Sequence, residues 1–202
     1  MDARQIQKGR EEICRISAML FAKGLVSGKD GNISVRISAD EMLVTPSGVC
    51  KAFLEPEMIL RQRFDGTVVE GELRSTREAG MHSRLYELRP EIGAIVHTHP
   101  AAATAFAVCA EELPQDILLE VPALLGKTAV AGCAPAGSRE LIAEVEKCAK
   151  SDVILLQNHG VITCGSDLAD AFARMDAAEN AARTIIYARL LGEPKRMPTI
   201  QP

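Results

Sequence analysis

The alternation of apolar and polar positions divides this chain into short strands and longer helices. Residues 2–23 carry Ile6, Ile13, Ile16 and Leu20 at helical spacing, and Gly24 is placed to end that helix. The turn Gly28-Lys29-Asp30-Gly31-Asn32 leads into 33–37, which alternates like a strand, and 42–45 reads as another, ending at Pro46. Segments 60–64 and 67–70 flank Asp65-Gly66, which predicts a hairpin with a two-residue turn. Residues 77–88 read as a helix that Pro90 stops. A short apolar run at 93–97 ends in polar residues, and 101–110 is Ala-rich and helical in character. A strand is expected near 129–132, followed by a helix over 138–150 that Ser138 can cap. Residues 153–156 are apolar throughout and read as a central strand, with 161–163 continuing after the turn Asn158-His159-Gly160. The last helix covers 167–191, with Leu168, Phe172, Met175, Ala182 and Ile186 on one face. Strands and helices intermix, so the expected class is α/β with a mixed sheet.

Composition narrows this picture without redirecting it. A chain of 202 residues suits one domain with a sizeable core. The absence of repeats, low-complexity segments and linker-like stretches leads us to expect a single domain over 1–202. A net charge of -4 and the lack of any Lys/Arg run speak against a nucleic-acid partner. No apolar stretch reaches the roughly 18 residues that cross a membrane. The charged N-terminal segment lacks the apolar core of a signal peptide, so a cytoplasmic location is expected. Cys14, Cys50, Cys109, Cys133, Cys148 and Cys164 form no C-x-x-C pair; the expectation is six free thiols, mostly buried, none of them a metal ligand.

The histidines carry the chemistry. There are four: His82, His97, His99 and His159. His97-Thr98-His99 closes a predicted strand, where residues two apart face the same way, so both imidazoles can converge on one ion. His159 closes another apolar strand and can supply a third ligand. Three imidazoles leave a coordination position open, which is the catalytic zinc arrangement, although imidazole also suits other divalent transition metals. The competing reading of an H-x-H pair is two polar residues at a strand end, and that of a lone His is a hydrogen-bonded structural residue. His82, inside a predicted helix, is assigned the structural role.

Five segments, in order, change those odds: Gly31-Asn32-Ile33-Ser34-Val35-Arg36; Leu43-Val44-Thr45-Pro46-Ser47-Gly48; Ser75-Thr76-Arg77-Glu78 with His82 four residues on; Val96-His97-Thr98-His99; and Leu156-Gln157-Asn158-His159-Gly160. Together they resemble the class II aldolase and ribulose-phosphate 4-epimerase family over about residues 10 to 191. The resemblance implies an α/β/α arrangement around a mixed, mainly antiparallel sheet, and a homotetramer with sites between subunits. It implies a zinc-dependent aldolase acting on a small ketose 1-phosphate, with His97, His99 and His159 as metal ligands and Glu78 as the general acid/base. Gly31, Asn32, Ser47, Gly48 and Thr76 would hold the phosphate, the turns by backbone N–H groups. Without the resemblance, Glu78 reads as a solvated residue in a first helical turn, and the glycine motifs as plain turns.

Two departures bear on the substrate. The family often has two adjacent small hydroxyl residues before the Glu, whereas Thr76 is followed here by Arg77, which could bind phosphate bidentately or point away. The fuculose-type enzyme carries a Tyr on a longer tail and another after its second His; Tyr187 falls in the last helix instead, so aldehyde selectivity is expected to differ. Epimerases of the family tend to carry Asp at the Glu78 position and decarboxylases Lys, while a dehydratase can keep Glu. A non-catalytic interaction module of the adducin type lacks the metal histidines.

Overall fold

The computed structural model describes residues 2–198; Met1 and the last four positions of the chain, 199–202, lie outside the described residues. Eight strands form one sheet in the order β4-β3-β2-β1-β5-β8-β7-β6. The strands are β1 Asn32–Arg36, β2 Glu41–Val44, β3 Leu60–Arg63, β4 Val68–Glu70, β5 Ala94–Thr98, β6 Thr128–Ala131, β7 Val153–Leu156 and β8 Gly160–Gly165. Every neighbouring pair is antiparallel except β6 with β7, which the helix α5 (Arg139–Lys147) links by a crossover. The other helices are α1 Ala3–Ala22, α2 Ala79–Leu88, α3 Ala101–Val108, α4 Val121–Leu125 and α6 Leu168–Leu191.

The apolar run at 153–156 is explained by two covered faces. Val153 and Leu155 join a cluster with Ile13, Phe106, Met175 and Ile185, from α1, α3 and α6. Ile154 and Leu156 join the opposite cluster with Met81, Leu85, Leu141 and Val145, from α2 and α5. The same alternation separates Ala94 and Val96 from Ile95 in β5, and Val161 from Ile162 in β8. The molecule is therefore a three-layer α/β/α structure around a mixed, mainly antiparallel sheet. Helix ends follow local chemistry. Asp2 and Gln5 close a capping box on α1, and the Ser138 hydroxyl accepts from Leu141 N on α5.

Some expectations needed adjustment. Helix α2 begins at Ala79 rather than 77, with Glu78 as its N-cap residue, and α5 ends at Lys147. The hairpin turn contains three residues, not two. Arg63 N donates to Thr67 O at 2.8 Å and Gly66 N to Arg63 O at 3.0 Å, with Gly66 at φ +94. A tight turn followed by a left-handed residue closes the strands with a bulge. The short helix α4 had no periodicity to announce it. The thiols are less buried than expected: Cys164 is buried, Cys14, Cys50 and Cys148 are half-buried, and Cys109 and Cys133 are exposed, all unpaired.

Leu155, on β7 one strand in from the sheet edge, is covered by helices and has no exposed surface. Leu155→Ala should lower unfolding free energy by about 2–5 kcal/mol, because the rigid neighbours close a cavity only in part. Equilibrium denaturation in urea would check this.

Candidate functional site

The antiparallel register assembles one end of the sheet. Asn32, which opens β1, pairs with His97 of β5, and Thr98 of β5 pairs with Val161 of β8. His99 follows β5 directly, and His159 occupies the turn between β7 and β8. Asn158 takes a left-handed conformation there, at φ +59, which a side chain able to bond its own backbone tolerates. The three imidazoles form a nearly equilateral triangle, with ring centroids 4.9–5.0 Å apart. One nitrogen from each lies within 4.8 Å of the others, so a single ion could be shared.

The second nitrogen of His97 fixes how that ring is used. His97 Nδ1 lies 3.0 Å from the Val161 carbonyl, which can only accept, so Nδ1 carries the proton and Nε2 keeps a lone pair. His97 Nε2 and His99 Nε2 stand 3.3 Å apart, facing the same space. Burial lowers the affinity of His99 for a proton to a pKa of about 4, helped by the neighbouring His97 and His159, and burial likewise lowers His159. Neutral imidazole is the form that binds metal. The donors therefore fit a divalent transition ion in identity and convergence, and burial favours the neutral form at His99 and His159. Gly160 makes the approach possible, since a Cβ there would stand 2.4 Å from His99 Cδ2 and 2.6 Å from the Thr98 carbonyl.

Glu78 lies against this cluster. Glu78 is only 8% exposed, so it is not a solvated first-turn residue. Oε2 lies 3.3 Å from His97 Nε2, and Oε1 lies 3.4 Å from His159 Nε2. Burial pushes the carboxyl up, but the neighbouring His97 and His159 and a hydrogen bond from Asn32 reverse that and hold it well below the usual carboxylate range. Oε1 has no hydrogen-bond partner among the described residues.

The anticipated phosphate residues border the same pocket. Gly31, Asn32, Ser47, Gly48, Thr76 and Arg77 all line it, beside Glu78, His99 and His159. Gly31, at φ +70, tolerates no side chain, because a Cβ would stand 2.6 Å from the His97 carbonyl. Two details differ from expectation. The Ser47 backbone N–H is already donated to the Arg74 carbonyl at 2.8 Å, which leaves its hydroxyl as the available donor. The Asn32 side chain does not face the open pocket but bridges Glu78 and His82. Arg77 is exposed and forms no ion pair among the described residues. The motif reading passed over Lys29 and Asp30, which also line the pocket although they sit inside the glycine turn. It also passed over Lys51. That buried ammonium donates to the carbonyls of Lys29 at 3.2 Å and Val49 at 3.1 Å, tying the two turns together. No local pattern marks such a residue.

The three histidines, which could share one metal ion, and the glutamate gather at one end of the sheet's inner strands, and the sequence comparisons place a chain of this architecture in a known enzyme family. The chain belongs to the Class II Aldolase and Adducin N-terminal domain family, which matches residues 11–186. It is 34% identical over 203 residues to a 5-deoxy-D-ribulose 1-phosphate aldolase of Bacillus thuringiensis serovar kurstaki, covering 96% of this chain and 91% of that one. It is 29% identical over 185 residues to a 3-oxo-tetronate 4-phosphate decarboxylase of Escherichia coli (strain K12), covering 89% and 86%. A solved L-fuculose 1-phosphate aldolase superposes with a TM-score of 0.89 at 31% identity, over 95% of this chain and 91% of that one.

His82 is fully buried beneath the site, and burial lowers its pKa to about 3 from an ordinary 6.5. The unfolded chain therefore takes up a proton below pH 6.5 that the folded chain refuses, so stability falls as pH drops. Between pH 7 and pH 5 this group should remove about 2 kcal/mol of stability. In His82→Gln, urea midpoints should fall less over the same interval than in the parent.

Proposed function

We propose that this chain is a metal-dependent class II aldolase that cleaves or forms a small ketose 1-phosphate, with dihydroxyacetone phosphate as one fragment. The observation that carries the reading is the placement of Glu78, with its carboxylate oxygens 3.3 and 3.4 Å from two of three converging imidazoles and a phosphate-sized cradle beside it. His97, His99 and His159 would hold the ion, zinc in our reading, although the imidazole set also suits other divalent transition metals. Such an ion supplies Lewis acidity at the inner end of the pocket.

The chain's own residues do the rest. Glu78, dehydrated and without a partner on Oε1, takes and returns the proton that carbon–carbon chemistry requires. Gly31, Gly48 and the hydroxyls of Ser47 and Thr76 cradle the phosphate, and Arg77 supplies a planar cation at the rim. Asn32 belongs to this site through Glu78 rather than through the phosphate. The resemblance of the relatives' named substrates, both aldolases acting on five- or six-carbon 1-phosphates, supports a short deoxy sugar. A homotetramer in the cytoplasm goes with this reading; the exposed apolar side chains of Leu119, Leu124, Leu190 and Leu191 offer surface for self-association, and six unpaired thiols suit a reducing compartment.

The test is release of dihydroxyacetone phosphate from a panel of ketose 1-phosphates, with and without a chelator. Chelator-sensitive release is expected. Release of carbon dioxide from a 3-oxo acid phosphate, with no triose phosphate from any sugar, would replace the aldolase reading with a decarboxylase. Glu78→Gln should keep its metal and lose roughly 10²–10⁴ in rate, whereas His97→Ala should lose metal and activity together. Metal analysis alongside steady-state rates separates the two. Arg77→Ala should raise KM with little change in kcat if the guanidinium grips phosphate in ground and transition states alike; an unchanged KM would remove Arg77 from the cradle.

A further inference from the structure

A buried file of polar side chains runs from Glu78 into the layer between the sheet and α2, and the aldolase chemistry above does not use it. Asn32 Nδ2 donates to Glu78 Oε2 at 2.8 Å. Asn32 Oδ1 lies 2.6 Å from His82 Nε2, and His82 Nδ1 lies 2.7 Å from Ser34 Oγ. Ser34 Oγ in turn lies 2.8 Å from the Tyr86 hydroxyl. None of the four residues below Glu78 is more than 3% exposed.

The directions of these bonds follow from their two ends. A carboxylate only accepts, so Asn32 must present its NH₂ to Glu78 and its carbonyl oxygen to His82. That oxygen also only accepts, so His82 Nε2 must carry the proton. In a neutral ring Nδ1 is then an acceptor, Ser34 must donate to it, and the remaining lone pair of Ser34 receives the Tyr86 hydroxyl. Every donor in the file points towards Glu78. Reversing one member alone would set two acceptors face to face at the next step, and reversing the rest with it would end with an amide oxygen against the carboxylate.

We propose that His82 is a positioning residue for Glu78: through Asn32 it locks one carboxylate oxygen in a single orientation and leaves Oε1, which has no partner, as the oxygen that exchanges a proton with substrate. Ser34 and Tyr86 act one and two steps further back by holding the His82 ring in the tautomer protonated at Nε2. Aliphatic side chains in this layer would pack as well and would leave the Asn32 amide free to rotate. This inference rests on Glu78 being the acid/base group.

The chain's four histidines make a direct test practical. In ¹⁵N-histidine-labelled, metal-loaded protein at neutral pH, His82 should show a protonated Nε2 and a bare Nδ1. The opposite tautomer, or a doubly protonated ring, would overturn the chain of donors. Ser34→Ala removes the hydroxyl that enforces the tautomer. It should lower kcat on the best ketose 1-phosphate about 10- to 100-fold, as loss of an orienting partner does, while KM and bound metal stay as in the parent. An unchanged kcat, or a loss of metal in step with activity, would overturn the positioning role. Should Ser34→Ala not fold, Tyr86→Phe keeps the ring stacked on Phe64, with centroids 5.5 Å apart, and should lower kcat in the same selective way by a smaller factor. Full activity in Glu78→Gln would remove the acid/base reading and leave the tautomer assignment intact, so the two failures are distinguishable.

Discussion

Everything at the site depends on three imidazoles sharing one small space at one end of the sheet's inner strands. Charged rings whose centroids are about 5 Å apart would repel, so sharing one ion requires neutral rings with their lone pairs aimed inward. Burial favours the first for His99 and His159. The Val161 carbonyl does the second for His97, by occupying the nitrogen that would otherwise compete. Both effects need β5 and β8 to be neighbours in a register that sets Thr98 beside Val161, and both need room, which Gly31 and Gly160 supply by lacking a side chain.

The same constraint explains why polar groups run beneath the site. A buried carboxylate beside three imidazoles is costly unless its oxygens are held, and Asn32 holds only one of them. Asn32 in turn needs His82, which needs Ser34, which sits beside Tyr86. Ser34 therefore occupies a position in β1 whose pleat neighbours, Ile33 and Val35, face the opposite core. A polar residue on that face lowers what burial alone would contribute to stability, and its return is an oriented carboxylate. Lys51 shows a comparable arrangement at the rim, with a buried ammonium spent on joining two loops rather than on an ion pair.

The membership in the class II aldolase family and the individual geometry of this chain bear on different questions. The sheet topology accounts for the convergence of the triad and for the place of the two glycine turns beside it. Arg77, Lys29 and Asp30 line the same pocket, beside Glu78.

Periodicity in the sequence determined nearly every strand and helix, because an α/β sheet covered on both faces requires apolar runs in its centre and amphipathic stripes over it. It placed the strands of β5, β7 and β8, and a same-side H-x-H pair is a direct consequence of strand geometry. What it could not determine was any fact that depends on two segments meeting. That Glu78 is buried against His97 rather than solvated, and that the Asn32 amide turns away from the pocket towards His82, follow from how α2 lies on the sheet. The Ser47 N–H is taken by Arg74, and Lys51 joins two loops 22 residues apart, for the same reason. Local pattern reports which side of its own element a residue faces; hydrogen-bond partners, burial and proton affinity are set by the element packed against it, and only the tertiary structure decides which one that is.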